Sequence, residues 1–123
     1  MSATDPGEPV AWHVELAVRP GRLEALRELT EEMVALTRSE PGALAYERYV
    51  SEDGATVWVY ERYADSAAAL AHLETFARRF GRRFAALVER RRFTVLGQPS
   101  EGLRAVLDGY GAVYHRRLAG FSR

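Results

Sequence analysis

The chain has 123 residues with 17 basic and 17 acidic side chains, so its formal net charge at pH 7 is zero, which argues against a general nucleic-acid binder. It has no cysteine, which excludes disulfides and thiolate metal sites, and all its basic residues are arginine, which excludes chemistry that needs a lysine amine. A chain of this length is sufficient for one domain that folds without disulfide bonds.

The first ten residues are polar and rich in turn formers, and we interpret residues 1–10 as a flexible tail. This segment lacks the basic and apolar regions of a signal peptide. No apolar run in the chain approaches the ~20 residues that a membrane-spanning helix needs. We therefore expect a cytoplasmic protein with no membrane partner.

The first half of the chain predicts one strand, one helix and a hairpin. Apolar residues alternate with polar ones over residues 12–18, which is typical of a strand. Leucines recur at helical spacing over residues 22–39. Two aromatic-rich strands, residues 43–50 and 56–63, are joined by a glycine-containing turn over residues 51–55.

The second half predicts a long helix with an interruption. Asp65 or Ser66 caps its start, and its apolar face continues to about residue 89. Gly81 lies inside this pattern and is a poor helix former, so we expect a break or kink near residues 74–81.

The C-terminal part predicts a strand over residues 92–96, a helix over residues 101–108 that Ser100 caps, and a last strand over residues 112–118. The full order is β-α-β-β-α-β plus a terminal helix and strand. The first six elements match the ferredoxin-like unit, an α+β fold with an antiparallel sheet and helices on one face.

The predicted sheet is apolar or aromatic on both faces, and a second subunit would bury the face that the helices leave open. We therefore expect a homodimer. Trp12 suits the helix side. We assign one set of side chains from the hairpin to a shared cavity face: Glu47, Tyr49, Glu61 and Tyr63.

Three segments resemble the antibiotic biosynthesis monooxygenase family. They are V-E-L-A-V-R-P-G at residues 14–21, P-G-A-L-A-Y-E-R-Y at residues 41–49, and Y-E-R-Y followed by D-S-A-A-A-L-A-H-L over residues 60–73. The resemblance covers residues 11–97 and leaves residues 98–123 as an extension of the same domain.

The resemblance implies a dimeric α+β barrel with a cavity between the sheet and helices of each subunit. It also implies oxygen insertion into a quinol or a polyketide-like phenolic aromatic with no cofactor. The residues of the haem-degrading branch are replaced by Val14, His72 and Arg82, so haem degradation is not expected. Tyr63 and Val59 replace a Trp and an Asn of the polyketide oxygenases, which leaves a non-catalytic, dimeric small-molecule-binding protein as the alternative.

His72 is the candidate base, because a neutral imidazole can accept a phenolic proton near neutral pH. The other interpretation is a packed, hydrogen-bonded core histidine. Tyr63 is the second candidate catalytic residue, and with Tyr49 it could stack on or hydrogen-bond an aromatic ring. Core packing is the alternative for both. Trp12 is a further candidate contact.

Glu47 and Glu61 need partners on a mainly buried face, and Arg82 or Arg83 could supply them. These pairs could bind substrate or be purely structural. Arginines are clustered around Arg82 and Arg83, and we interpret the cluster as a solvated face, with anion recognition as the alternative. Its members are Arg78, Arg79, Arg82, Arg83, Arg90, Arg91 and Arg92. We expect no metal, because His13 and His115 have no third ligand at metal-binding spacing.

Overall fold

The computed structural model describes residues 7–123. Of the predicted tail, residues 1–6 lie outside the described part, and Val10 already belongs to a strand. The elements in chain order are β1 (Val10–Val18), α1 (Leu23–Arg38), β2 (Ala43–Val50), β3 (Thr56–Tyr63), α2 (Ser66–Arg79), α3 (Gly81–Ala85), β4 (Val88–Leu96), α4 (Glu101–Gly109) and β5 (Val113–His115).

The strands form one sheet in the order β2-β3-β1-β4-β5. All pairings among β1 to β4 are antiparallel, and β5 runs parallel to β4. The order of the first four is that of the ferredoxin-like unit, so the predicted α+β class is confirmed.

The core lies between one sheet face and the helices. Trp12, Val14 and Leu16 alternate along β1 and are all buried on this side. The C-terminal helix α4 adds Leu103 and Leu107, which are fully buried in the same cluster. Within residues 7–123, no helix combines the length and apolar character that a membrane crossing requires.

The predicted break in the second long helix is confirmed. Phe80 has a non-helical φ of −126° and separates α2 from α3. The boundaries after it were predicted wrongly. The helical pattern was extended to residue 89, but β4 begins at Val88, because its first residues pair with β1 beyond a bulge between Glu15 and Leu16. The last strand has three residues rather than seven.

The face assignment of β2 was also wrong. Glu47 lies opposite Tyr60, and Tyr49 lies opposite Trp58, whereas Tyr46 lies opposite Glu61. Directly opposed residues share a face, so Glu47 and Tyr49 lie on the side away from the helices. Alternation shows which residues of a strand share a face, but an offset of one residue in the pairing exchanges the two faces.

Candidate active site

A small cavity lies between the helix-facing side of the sheet and the helices. Its volume is about 50 Å³, room for roughly three to five water molecules. Strands β1 to β4 supply its floor, and α2, α3 and the residue after α4 supply its roof. The lining residues are Trp12, Val14, Leu16, Arg48, Val59, Glu61, His72, Leu73, Phe76, Phe84, Arg90, Phe93 and Tyr110.

Glu61 is the buried carboxylate of this cavity, and two neighbours satisfy it. The Tyr63 hydroxyl donates to Glu61 Oε1 at 2.6 Å, and Arg48 Nη2 donates to Glu61 Oε2 at 2.6 Å. A buried carboxylate without such donors would be strongly unfavourable. The predicted partners were wrong, because Arg48 comes from the neighbouring strand, whereas Arg83 pairs with Glu32 on α1.

His72 lies on α2 and is 4% exposed. Its Nδ1 is 2.9 Å from Glu40 Oε1, and its Nε2 is 3.5 Å from Glu61 Oε1. When Nδ1 carries the proton and donates it to Glu40, Nε2 is left as an acceptor. In this tautomer Nε2 carries the lone pair that a general base needs, and the Glu40 carboxylate behind the ring fixes its orientation. The Glu61 carboxylate near Nε2 accepts hydrogen bonds from Tyr63 and Arg48.

The helix that carries His72 is fixed at its start. Asp65 is the N-cap, and its side chain accepts a hydrogen bond from the backbone N–H of Ala68 at 2.8 Å. Gly42, just before β2, allows α2 to pack closely, because a Cβ at that position would collide with the Cβ of Ala68. The position of His72 over β2 and β3 therefore depends on these contacts.

Tyr63 is completely buried between Trp12 and His72, with both ring centroids 5.0 Å from its own. Burial, followed by the neighbouring charge of Glu61, raises the pKa of Tyr63 well above its usual value near 10. The phenol therefore stays protonated and acts as a hydrogen-bond donor. Burial likewise raises the pKa of Tyr46 to about 12.

Arg48 has N–H groups that its ion pair with Glu61 does not use. Its guanidinium carbon lies 3.5 Å above the centroid of the Tyr46 ring, and only Nη2 reaches Glu61. Within residues 7–123, Nε and Nη1 are buried without a hydrogen-bond partner. A buried guanidinium with unused N–H groups beside a cavity can bind an oxyanion.

The structure brings together four of the eight predicted site residues: Trp12, Glu61, Tyr63 and His72. The other four lie elsewhere. Tyr49 is 57% exposed, and its hydroxyl donates to Glu47 at 3.2 Å on the outward face. Arg82 lines an outer groove, and Arg83 belongs to the ion pair with α1.

Sequence reasoning missed two residues of this site. Arg48 lies between Glu47 and Tyr49 along β2, so the assignment of those two residues to the cavity face left Arg48 on the other side. Glu40 lies in the connection after α1 and reaches His72 across 32 positions of chain, a contact for which the sequence offers no local signal.

The antibiotic biosynthesis monooxygenase family model matches residues 9–90. The chain belongs to this family. Among its relatives, "Putative monooxygenase Rv0793" of Mycobacterium tuberculosis is 40% identical over 55 residues, which is 45% of this chain. The match spans 54%, about half, of that relative's length.

Solved structures extend the likeness to the whole fold. The crystal structure of MupZ from Pseudomonas fluorescens has a TM-score of 0.82 at 24% identity, covering 94% of this chain and 95% of that one. The structure of Rv0793 has a TM-score of 0.58 at 31% identity, covering 76% of this chain and 98% of that one. The MupZ likeness includes the C-terminal part of the chain and concerns the fold alone.

Proposed function

We propose that this member of the family is a cofactor-independent monooxygenase that acts on a quinol or a polyketide-like phenolic aromatic. Family membership supports monooxygenase chemistry. The observation that carries the proposal is His72 on the cavity wall with Glu40 beside Nδ1, because the tautomer that donates to Glu40 leaves Nε2 as an acceptor.

The reaction begins when His72 Nε2 removes the phenolic proton of the substrate. The resulting anion is electron-rich and itself reduces dioxygen. In the balanced reaction, the phenolic C–OH, a ring C–H and O₂ give two ring C=O groups and one water, so the oxidised ring supplies the electrons and one oxygen atom of O₂ leaves as water. Arg48 stabilises the oxyanion through its free N–H groups, while Glu61 and Tyr63 hold the guanidinium in place.

We also propose that two subunits pack with the outward faces of their sheets together. Trp58 is 41% exposed and Tyr49 57% exposed on this face, and the ring centroid of Trp58 lies 5.3 Å from that of His13. Exposed aromatic side chains on a sheet face are typical of a protein interface. The cavity lies on the opposite face, so each subunit keeps its own site.

Oxygen uptake with a panel of quinols and phenols tests the activity. His72→Asn keeps a hydrogen-bonding amide near Glu40 but removes the base, and we expect a loss of roughly 100-fold or more. His115→Gln, on exposed β5, is the matched control and should keep the wild-type rate. Equal rates for wild type and His72→Asn would contradict the proposed base. Tight ligand binding with no oxygen uptake would favour the non-catalytic alternative.

A further inference from the structure

A wider groove at the surface adjoins the cavity. Phe76, Phe84, Arg90 and Tyr110 line both spaces, so they form the boundary between them. The outer groove runs between α3 and the start of β4, with a volume of about 470 Å³ against about 50 Å³ inside. The inner space is too small to hold a polycyclic substrate, so much of the molecule must lie in the groove.

The groove is strongly cationic. Arg19, Arg82 and Arg90 line it, together with a single carboxylate, Glu89. Within residues 7–123, none of these three arginines forms an ion pair, and Glu89 is already 3.8 Å from Arg91. Three uncompensated charges around one concave surface make a local positive potential that attracts an anion.

Two of the arginines have defined positions. Arg19 Nη2 donates to the backbone carbonyl of Ala85 at 3.4 Å, which places its guanidinium beside α3. The Arg90 guanidinium carbon lies 4.8 Å above the centroid of the Tyr110 ring, at the boundary with the cavity. The Phe93 ring also stacks on the Tyr110 ring, with the two centroids 5.7 Å apart. The cationic groove and the cavity therefore share a largely aromatic wall.

We propose that this groove is a subsite for a carboxylate on the substrate, bound by Arg19, Arg82 and Arg90, while the phenolic ring end enters the cavity toward His72. The inference rests on the proposed function for the identity of the ring end. The anion preference itself rests on the charge of the groove, and its place on the substrate rests on the wall that the groove shares with the cavity.

Calorimetric titration of the full chain with matched ligands tests the subsite without any turnover. The ligand pairs are 4-hydroxybenzoate with 4-hydroxybenzamide, and 6-hydroxy-2-naphthoate with 6-hydroxy-2-naphthamide. The two members of each pair differ in charge but hardly in size. We expect the acid to bind about ten-fold more tightly than the amide for at least one pair, and the preference to shrink as salt increases.

Arg82→Gln and Arg90→Gln should each reduce this preference, and the triple variant that also carries Arg19→Gln should remove it. Arg79→Gln is the matched control, because it removes the same charge from an exposed position outside the groove and should keep the wild-type preference. Equal affinity of acid and amide in the wild type would overturn the subsite, as would a preference that survives in the triple variant. No binding of either member of either pair would contradict it as well.

The same ligands separate the two proposals. An acid preference that depends on the arginines, with no oxygen uptake for any ligand, would support the subsite and count against the oxygenase. Oxygen uptake that is equal for acid and amide, at equal affinity, would support the oxygenase and overturn the subsite.

Discussion

Arg48 and Glu61 form a nearly buried ion pair between neighbouring strands, with Nη2 and Oε2 2.6 Å apart and side chains 12% and 8% exposed. The two residues lie diagonally across β2 and β3, because Tyr46 is directly opposite Glu61. The pair fixes the guanidinium beside the cavity and the carboxylate beside His72. The ion pair therefore connects the β2–β3 hairpin to His72, the candidate base, through Glu61.

Removing one member of this pair should destabilise the protein strongly. Arg48→Met leaves the Glu61 carboxylate with Tyr63 as its remaining strong donor, and we expect a loss of about 3 kcal/mol in the free energy of unfolding. Arg48→Met combined with Glu61→Leu should recover much of that loss, because no buried charge remains. Urea unfolding at one fixed protein concentration measures both. A double variant no more stable than the single one would contradict this account.

Glu40 is predicted to act as a positioning residue for His72. Glu40→Ala removes the acceptor that faces Nδ1 and should lower kcat by about ten-fold or more with little change in KM. Glu40→Gln keeps an acceptor oxygen and should retain more activity than Glu40→Ala. Steady-state oxygen uptake measures the rates, and thermal unfolding controls for lost stability. Equal rates for the two variants would show that orientation of the ring is not what matters.

Stability should decline in alkaline solution because of the buried tyrosines. The pKa of Tyr46 is raised to about 12 and that of Tyr63 is raised further above its ordinary value near 10. Above pH 10 the unfolded chain loses these protons while the folded protein keeps them, so the free energy of unfolding falls as pH rises. The fall is at most about 1.4 kcal/mol per pH unit for each tyrosine.

The chain has no lysine and no cysteine, so tyrosine is the one type of side chain in it that ordinarily titrates near pH 10. A change of stability in this pH range can therefore be assigned to tyrosines. Tyr63→Phe should be less stable than wild type at neutral pH, since it loses the donor to Glu61, yet show a shallower alkaline decline. Chemical unfolding at pH 8 to 11 measures the slope. An unchanged slope in Tyr63→Phe would contradict the assignment.

Two glycine substitutions should change the stability in opposite directions. Gly42→Ala tests the packing of α2 against the start of β2, and Gly109→Ala is the comparison. Gly42→Ala should destabilise by about 1–3 kcal/mol, because its Cβ would collide with the Cβ of Ala68 on the helix. Gly109→Ala, near the end of α4, meets no atom within 4 Å and should stabilise by up to about 1 kcal/mol. Thermal unfolding of both variants measures the difference. A neutral Gly42→Ala would mean that α2 can move away easily.

The proposed dimer predicts a specific weak point. Trp58→Glu places a charge in the middle of the outward face, where Tyr49 lies directly opposite, and should convert the dimer to monomers at micromolar concentration. Val106→Glu, at an exposed apolar position of α4, is the control and should leave the assembly unchanged. Sedimentation equilibrium measures the mass. A well-folded wild-type monomer at micromolar concentration would contradict the dimer.

Much of the fold followed from local patterns. The alternation of Trp12, Val14 and Leu16 correctly gave the buried side of β1, and Gly81 correctly marked a break in the long helix. The strand boundaries near Val88 were harder, because a bulge between Glu15 and Leu16 in the partner strand decides where β4 can begin to pair. A bulge in β1 cannot be recognised from the sequence of β4, so the sequence of β4 alone does not show where this strand begins.

The amino-acid sequence by itself determined the element order, the ferredoxin-like class and His72 as a candidate base, because these depend on periodicity and residue chemistry close along the chain. Only the tertiary structure decided that Arg48, rather than Arg82 or Arg83, is the partner of Glu61, and that Glu40 is the partner of His72. Strand register sets which face each residue occupies, and one offset exchanges the faces. Register is a property of two strands together, so no single segment could reveal it.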